Sequence, residues 1–133
     1  MATDSPRKYI DTTVILTALR SEGVENLLPQ LAMKAANDGV PLVTSSLTNI
    51  EVRRALVREG IPITPEVTRV FEGFDVAALS DDILALAVRL PVRHLKTLDV
   101  IHLATSIATG CGTVITRDKQ FAKACEEVGL SVA

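Results

Sequence analysis

Short apolar runs alternate with amphipathic helical segments along the chain, and this alternation constrains the fold more than any other feature. The strand-like runs are residues 8–10, 41–43, 75–79, 113–116 and 130–132. The helical segments between them are residues 13–19, 25–38, 46–58, 65–72, 81–90, 97–109 and 118–128. Strands this short, each followed by a helix, are typical of a parallel sheet covered on both faces. The sequence therefore predicts an α/β protein, a three-layer α/β/α sandwich with a short, mainly parallel central sheet.

Length and composition narrow the classes of function. The chain has 133 residues, 47% of them hydrophobic and 23% charged, so we expect residues 1–133 to form one globular domain. Its net charge of −2 argues against a simple cationic coat for nucleic acid. With one Tyr, three Phe and no Trp, it has too few aromatic residues for a base-stacking platform. Any nucleic acid would therefore be held mainly by its backbone.

Targeting signals are missing from the sequence pattern. Residues 1–10 contain no apolar segment of the kind that secretory signals carry. Residues 100–116 lack charged side chains, but the run is shorter than the roughly 20 residues that a membrane span needs. Cys111 and Cys125 have no metal-ligand spacing and are interpreted as two reduced thiols. We therefore expect a cytoplasmic protein that has no contact with a membrane.

Four acidic residues fall where parallel sheets bind their ligands, outside the carboxyl ends of the strands. Asp11 follows the first strand, Asp118 follows the strand near the C-terminus, and Asp99 begins the helix that leads into that strand. Glu51 lies in the helix that follows the second strand. Carboxylates that meet in one place repel each other unless a cation neutralises them, and their hard oxygen atoms favour Mg²⁺ or Mn²⁺ over Zn²⁺.

Each of these acids also has a structural interpretation. Asp11 and Asp118 can be helix N-caps, and Asp99 can be a first-turn acid that complements a helix dipole. Glu51 can close a capping box with Thr48, or pair with the arginine three residues later. All four structural roles would have to fall at one edge of the sheet by coincidence, so the pattern favours a shared site.

Basic residues lie close to these acids in the sequence. The candidates for contact with a nucleic-acid backbone are Arg54, Lys96, Arg117 and Lys119. Arg117 is the strongest of them because it is adjacent to Asp118. A solvated helix face is the alternative interpretation for each charge.

Four motifs, in their order and spacing, resemble the PIN-domain ribonucleases and most closely the VapC-type toxins. The motifs are Y-I-D-T-T, S-S-L-T-N-I-E-V-R-R-A-L, L-K-T-L-D-V-I-H-L-A-T-S-I-A and V-I-T-R-D-K-Q-F-A, and together they cover almost the whole chain. The resemblance implies a metal-dependent endoribonuclease that uses Mg²⁺, or Mn²⁺, and a metal-activated water to cleave RNA. It also implies a homodimer and a small antitoxin protein that covers the acidic site.

The resemblance implies roles for particular residues. The acidic site consists of Asp11, Glu51, Asp99 and Asp118, with the three aspartates as metal ligands. The resemblance also implies that the hydroxyl of Thr13, that of Thr116, or both support that site. No role is implied for His102, one helical turn after Asp99, and we interpret it as a packed core histidine rather than a ligand or proton donor.

Other functions remain to be weighed against a nuclease. The main alternative is a non-catalytic PIN-like module that binds RNA or a protein, and the next is an assembly subunit whose acids are only helix caps.

A phosphatase of the haloacid dehalogenase type needs a second aspartate where Thr13 stands. A receiver domain needs a phosphoacceptor aspartate at the end of a middle strand, where this chain has Val43 and Thr44. A dinucleotide-binding domain needs a glycine-rich motif between strand and helix, whereas Gly110-Cys111-Gly112 precedes a strand.

Overall fold

The computed structural model describes residues 5–21 and 27–133, and it confirms the predicted α/β/α class. Five parallel strands form one sheet in the order β3-β2-β1-β4-β5. The strands are β1 (Lys8–Ile10), β2 (Val43–Ser45), β3 (Asp75–Ala77), β4 (Thr113–Ile115) and β5 (Ser131–Val132). The helices of the described ranges are α1 (Thr12–Ser21), α2 (Leu27–Asn37), α3 (Ser46–Arg58), α4 (Pro65–Val70), α5 (Asp81–Arg89), α6 (Thr97–Ala108) and α7 (Lys119–Glu127). The predicted start of the second helix at residue 25 lies outside the described residues.

The hydrophobic core is divided by the sheet into two layers, because successive residues of a strand face opposite sides. Ile10 packs with apolar side chains of α1, α2, α3 and α4 on one face. Tyr9, its neighbour in β1, packs with Leu103 of α6 and Phe121 of α7 on the other face. Helix α5 lies against α6. The first four helices and the last three therefore cover opposite faces of the sheet.

Most predicted elements differ from the structure by one or two residues at an end, and two of these differences have a clear structural cause. The sequence predicts the second strand at residues 41–43, but β2 runs from Val43 to Ser45. Thr44 is fully buried and its hydroxyl donates a hydrogen bond of 2.8 Å to the carbonyl of Ile10. Apolar patterning misses such a position because a buried hydroxyl that finds a partner costs little. The helix predicted over residues 65–72 ends at Val70 and continues as a 3₁₀ turn, Phe71–Gly73.

Helix α6 ends at a glycine in a left-handed conformation. Gly110 has a φ of 74°, a left-handed conformation that side chains other than glycine rarely adopt. The N–H of Gly110 donates to the carbonyl of Ile107 and the N–H of Cys111 donates to the carbonyl of Ser106, both at 3.0 Å. This pair of hydrogen bonds is the Schellman arrangement, which satisfies the last carbonyl groups of a helix. It turns the chain directly from α6 towards β4.

The uncharged stretch of residues 100–116 forms most of α6 and the whole of β4, as predicted. In the described part of the chain, no helix has both the length and the apolar character needed to cross a membrane. Cys111 and Cys125 are both buried and both free.

Candidate active site

The site lies at the carboxyl end of the sheet, where the direction of strand addition changes. From β1 the chain proceeds to β2 on one side, and β4 is added later on the other side. Ligands of open α/β sheets bind in the crevice that such a change of direction creates. Asp11 directly follows β1 and Thr116 directly follows β4, and the Thr116 hydroxyl donates a hydrogen bond of 2.5 Å to Asp11 Oδ2. Asp11 and Thr116 therefore meet in this crevice.

A cleft of about 140 Å³ opens beside Asp11, and all four predicted carboxylates line it. The rest of its wall comes from Thr12, Thr13, His102 and Phe121. A larger groove of about 390 Å³ lies between α5 and α6, but its wall is almost entirely apolar. Chemistry rather than volume therefore identifies the smaller cleft as the candidate active site.

Asp11 is 5% exposed and is held by donors on both of its oxygen atoms. The Thr13 hydroxyl donates to Oδ1 at 2.6 Å, and the backbone N–H of Val14 donates to the same oxygen at 3.3 Å. Thr116 donates to Oδ2. Burial raises the pKa of the Asp11 carboxyl, and the donors from Thr116, Thr13 and Val14 offset part of that rise without reversing it.

The two threonine hydroxyls are themselves oriented by the backbone. The N–H of Arg117 donates to Thr13 Oγ1 at 3.2 Å, and the N–H of Asp118 donates to Thr116 Oγ1 at 3.0 Å. Since each hydroxyl oxygen already accepts a hydrogen bond, its own proton is free to point at Asp11. The structure thus brings the predicted supporting residues Thr13 and Thr116 together around Asp11.

Glu51 projects from α3 and uses one carboxylate oxygen for both of its contacts. The Thr12 hydroxyl donates to Oε1 at 2.8 Å, and His102 Nε2 lies 2.5 Å from the same atom. Burial by itself raises the pKa of the Glu51 carboxyl. The hydrogen bond from His102, the charge of its ring when protonated, and the Thr12 hydroxyl more than offset burial, so the pKa is lowered.

The structural interpretations of Glu51 are wrong in the described structure. The N-cap of α3 is Ser45, whose hydroxyl oxygen accepts a hydrogen bond of 3.0 Å from the N–H of Leu47. Thr48 therefore does not begin a capping box with Glu51. Among the described side chains, Glu51 also has no ion pair with Arg54.

His102 is buried, as predicted, with 4% of its surface exposed. Its Nδ1 lies 2.6 Å from the Tyr9 hydroxyl, and its Nε2 faces Glu51. The sequence interpretation of a packed core histidine missed the contact with a site carboxylate, and it missed Tyr9 and Thr12 altogether. One signal for Tyr9 was available, because a tyrosine in a buried strand needs a partner for its hydroxyl.

Asp99 lies in the first turn of α6 and is half-buried. Among the residues that the structure describes, none donates a hydrogen bond to its carboxylate. Burial raises the pKa of the Asp99 carboxyl, and the negative charge of Asp118 raises it further. The charges of Glu51 and Asp11 act in the same direction, whereas His102 opposes them. The carboxylate of Asp99 therefore interacts electrostatically with each of the other three acids.

Asp118 combines the capping role with a place in the cleft. Its Oδ1 accepts hydrogen bonds from the N–H groups of Gln120 at 2.9 Å and Phe121 at 3.2 Å, so it is the N-cap of α7. Both contacts fall on Oδ1, and the residue also lines the cleft. The cap interpretation is thus correct for Asp118, and it does not exclude a role in the site.

The donor set of the cleft fits a hard divalent cation. Within residues 5–21 and 27–133, no lysine or arginine forms an ion pair with any of the four carboxylates. In the same ranges, no three side chains of His, Cys, Asp or Glu converge closely enough to hold a metal ion by themselves. Mg²⁺ does not require such a cage, because it keeps several of its waters and binds through one or two carboxylates.

The predicted backbone-binding residues are all exposed on elements that carry the site. Arg54 lies on α3, Lys96 precedes α6, Arg117 lies between β4 and α7, and Lys119 begins α7. None of the four forms a side-chain ion pair within the described part of the chain. Their charges are therefore available at the surface.

Known proteins resemble this chain in sequence and in fold. The family profile described as PIN domain matches residues 8–127. Ribonuclease VapC47 of Mycobacterium tuberculosis (strain CDC 1551 / Oshkosh) is 30% identical over 128 residues, which cover 94% of this chain and 94% of that protein. A toxin-antitoxin complex from Klebsiella pneumoniae contains a chain with a TM-score of 0.62 and 27% identity, covering 86% of this chain and 90% of that one. VapBC2 from Rickettsia felis, bound to a DNA fragment from its promoter, shares the fold with a TM-score of 0.70 at 12% identity, over 96% of this chain and 97% of that one.

Proposed function

Because the chain belongs to the PIN-domain family, we propose that it is a metal-dependent endoribonuclease and the toxin of a toxin–antitoxin pair. The observation that carries the proposal is the cleft at the end of β1 and β4, where four carboxylates meet and no described lysine or arginine pairs with them. The relative that is named a ribonuclease supports the activity. The chain at 27% identity that belongs to a toxin-antitoxin complex supports the biological role.

We assign Asp11, Asp99 and Asp118 to hold Mg²⁺, or Mn²⁺, directly or through water. The raised pKa of the Asp99 carboxyl, caused by burial and by the charge of Asp118, is the electrostatic sign of a site that a cation would stabilise. When bound, the cation supplies an acidified water and charge neutralisation for the scissile phosphate.

The residues of the chain provide positioning. Thr13 and Thr116 fix both oxygens of Asp11, so this carboxylate keeps one orientation. Glu51 keeps Oε2 without a donor among the described residues and uses it to orient the attacking water. No side chain is required as a nucleophile, and in-line attack by water leaves a 5′-phosphate and a 3′-hydroxyl. The exposed basic residues Arg54, Lys96, Arg117 and Lys119 position the RNA backbone.

The proposal includes the assembly and the setting of the protein. Residues 1–133 form a single PIN-like domain, which acts in the cytoplasm and associates as a homodimer. A small antitoxin protein, with a basic or arginine-bearing segment, neutralises and covers the acidic cleft. Two free buried thiols fit a reducing compartment. Co-purification with the product of the neighbouring gene tests this part, and isolation of the free protein alone at every concentration would contradict it.

The experiment that tests the activity is cleavage of total RNA by the purified protein in Mg²⁺, in Mn²⁺ and in EDTA. We expect cuts at a few positions that require the metal and that disappear with Asp11→Asn. The matched control is Asp82→Asn, which changes an exposed aspartate in the first turn of α5. A folded protein that cuts no RNA with either metal would contradict the proposal and favour a non-catalytic PIN-like module that binds RNA or protein.

A further inference from the structure

A buried chain of hydrogen bonds leads from the core to the cleft. Tyr9 in β1 is fully buried, and its hydroxyl lies 2.6 Å from His102 Nδ1. His102 is 4% exposed, and its Nε2 lies 2.5 Å from Glu51 Oε1. These contacts join residues 93 and 51 positions apart in the sequence, so they depend on the fold rather than on local chain geometry. We call Tyr9 and His102 together the Tyr9–His102 brace.

The direction of these hydrogen bonds follows from the donors that are available. The ionised carboxylate of Glu51 can only accept, so His102 Nε2–H donates to Glu51 Oε1. With a proton on Nε2, Nδ1 of the neutral ring accepts from the Tyr9 hydroxyl. The imidazole is thus held in one orientation by partners on opposite sides of its ring.

The brace has a specific consequence for Glu51. A glutamate side chain on a helix samples many rotamers, and fixing it costs conformational entropy. Here His102 and Thr12 both donate to Oε1, which restricts the carboxylate and leaves Oε2 directed away from its donors. We propose that Tyr9 and His102 are positioning residues that hold the Glu51 carboxylate in its working orientation. This inference rests on the proposed nuclease function, because it gives Glu51 the role assigned above.

Loss of the Tyr9–His102 brace would lower the turnover rate as well as the stability, whereas loss of an ordinary packing contact would lower the stability alone. Removal of a buried hydrogen bond lowers stability wherever it lies. Removal of the brace additionally frees Glu51, so the turnover rate should fall while RNA binding by the exposed basic residues is kept. Catalysis depends on such orientation because a small displacement of a reacting group lowers the rate strongly.

The kinetic test compares variants of the full chain in Mg²⁺. We expect His102→Leu to lower kcat about 10- to 100-fold with little change in KM, as loss of an orienting partner does at metal sites. His102→Gln keeps an N–H that reaches Glu51 and should restore much of the loss, and Tyr9→Phe should show a smaller loss of kcat. The matched control is Thr105→Val, which removes a buried hydroxyl one turn further along α6 and should leave kcat unchanged. A His102→Leu variant that melts as a folded protein and keeps wild-type kcat would overturn the proposal.

A second readout does not need activity. Tyr9 is the single tyrosine of a chain without tryptophan, so its fluorescence reports the brace without background. Tyrosine emission is quenched by donation to an imidazole, and we expect His102→Leu to raise it. Glu51→Gln should raise it by a smaller amount, because hydrogen bonds in a chain strengthen one another. Thr105→Val should leave it unchanged.

The two readouts separate the possible failures. If the wild type cleaves no RNA but Tyr9 emission responds to Glu51→Gln, the proposed function fails while the physical link from Tyr9 to Glu51 stands. If the wild type cleaves RNA and emission ignores both His102→Leu and Glu51→Gln, the brace is contradicted and the nuclease proposal is kept.

Discussion

Glu51 and Asp99 line the same small cleft, yet the protein surrounds them in opposite ways. Glu51 receives a hydroxyl and an imidazole on one oxygen, and these donors lower the pKa of its carboxyl in spite of burial. Asp99 receives no hydrogen bond from the described residues, and burial and the charge of Asp118 raise the pKa of its carboxyl. The fold therefore stabilises the charge of Glu51 and destabilises the charge of Asp99. A protein tolerates a carboxylate that lacks hydrogen-bond donors where a bound cation neutralises its charge.

The largest effect that this comparison predicts is that of Asp99→Asn. The amide keeps the volume of the side chain but removes a charge that we assign to cation binding. We expect cleavage to fall below about 1% of wild type, in line with the loss of a main electrostatic contact of an active site. Thermal unfolding in EDTA should be unchanged or occur at higher temperature, because carboxylate repulsion is relieved.

The control for Asp99→Asn is again Asp82→Asn. Both aspartates lie in the first turn of a helix, so both lose the same favourable interaction with a helix dipole. Asp82 lies on the exposed surface of α5, outside the cleft. Full cleavage by Asp99→Asn, or a loss of stability as large as that of the control, would contradict the proposed site.

Glu51→Gln should change the stability of the protein in the opposite direction from Asp99→Asn and make it less stable. The fold favours the ionised carboxylate of Glu51, so an amide in its place weakens the hydrogen bonds with His102 and Thr12. We expect a loss of about 1.5–3 kcal/mol in the free energy of unfolding, the range for hydrogen bonds to charged groups. Cleavage should fall about 100-fold, a loss of the size seen when one preorganised electrostatic contact is removed. Denaturant unfolding of Asp99→Asn and Glu51→Gln in EDTA measures this contrast. If the free energy of unfolding decreases in both variants, the two carboxylates are not surrounded in opposite ways.

The outline of the fold could be predicted because it depends on strong local signals. Ser45 and Ser80, residues of a type that favours helix N-termini, cap α3 and α5, and Gly110 closes α6. The resemblance to the PIN domain is confirmed by the family profile over residues 8–127. The predicted position of β2 differs from the observed one because Thr44 is a polar residue. In the fold, its hydroxyl donates a hydrogen bond to the carbonyl of Ile10 inside the sheet.

The meeting of the four acids at one cleft could be predicted from the sequence, whereas most of their hydrogen-bond partners could not. The rule that ligands bind at strand ends leads directly to Asp11 and Asp118, since each follows a strand. The contacts of Glu51 were not predictable, because Thr12 and His102 reach it across sequence separations of 39 and 51. Nothing in the local pattern around Glu51 distinguishes a distant imidazole from the nearby capping partner that was expected.

Asp11 extends the comparison of Glu51 with Asp99 because it shares features of both residues. Like Glu51 it is held by hydroxyl donors, and like Asp99 it has a carboxyl whose pKa burial raises. Thr116→Val removes one donor at nearly constant volume and should raise the pKa of the Asp11 carboxyl further. We expect about a tenfold loss of cleavage, as for the loss of an outer contact of a metal ligand. Thr105→Val is the control, and equal activity of the two variants would contradict the support assigned to Thr116.

The smallest effect, and the most direct comparison of the two carboxylates, is the pH dependence of stability in EDTA. For Asp99, whose pKa is raised, the stabilising contribution is full below the ordinary aspartate value of 3.8 and is lost as the pH rises through the folded pKa. For Glu51, whose pKa is lowered, the contribution is full above the ordinary glutamate value of 4.5 and is lost as the pH falls through the folded pKa. On acidification from neutral pH, the gain in stability of Asp99→Asn over wild type should therefore shrink through the folded pKa of Asp99, and the loss of stability in Glu51→Gln should begin to shrink only below the ordinary glutamate value of 4.5. Melting curves of the three proteins from about pH 7 to about pH 3 test these directions, and stability differences of the same sign for both variants at neutral pH would show that the surroundings of the two acids have been misassigned.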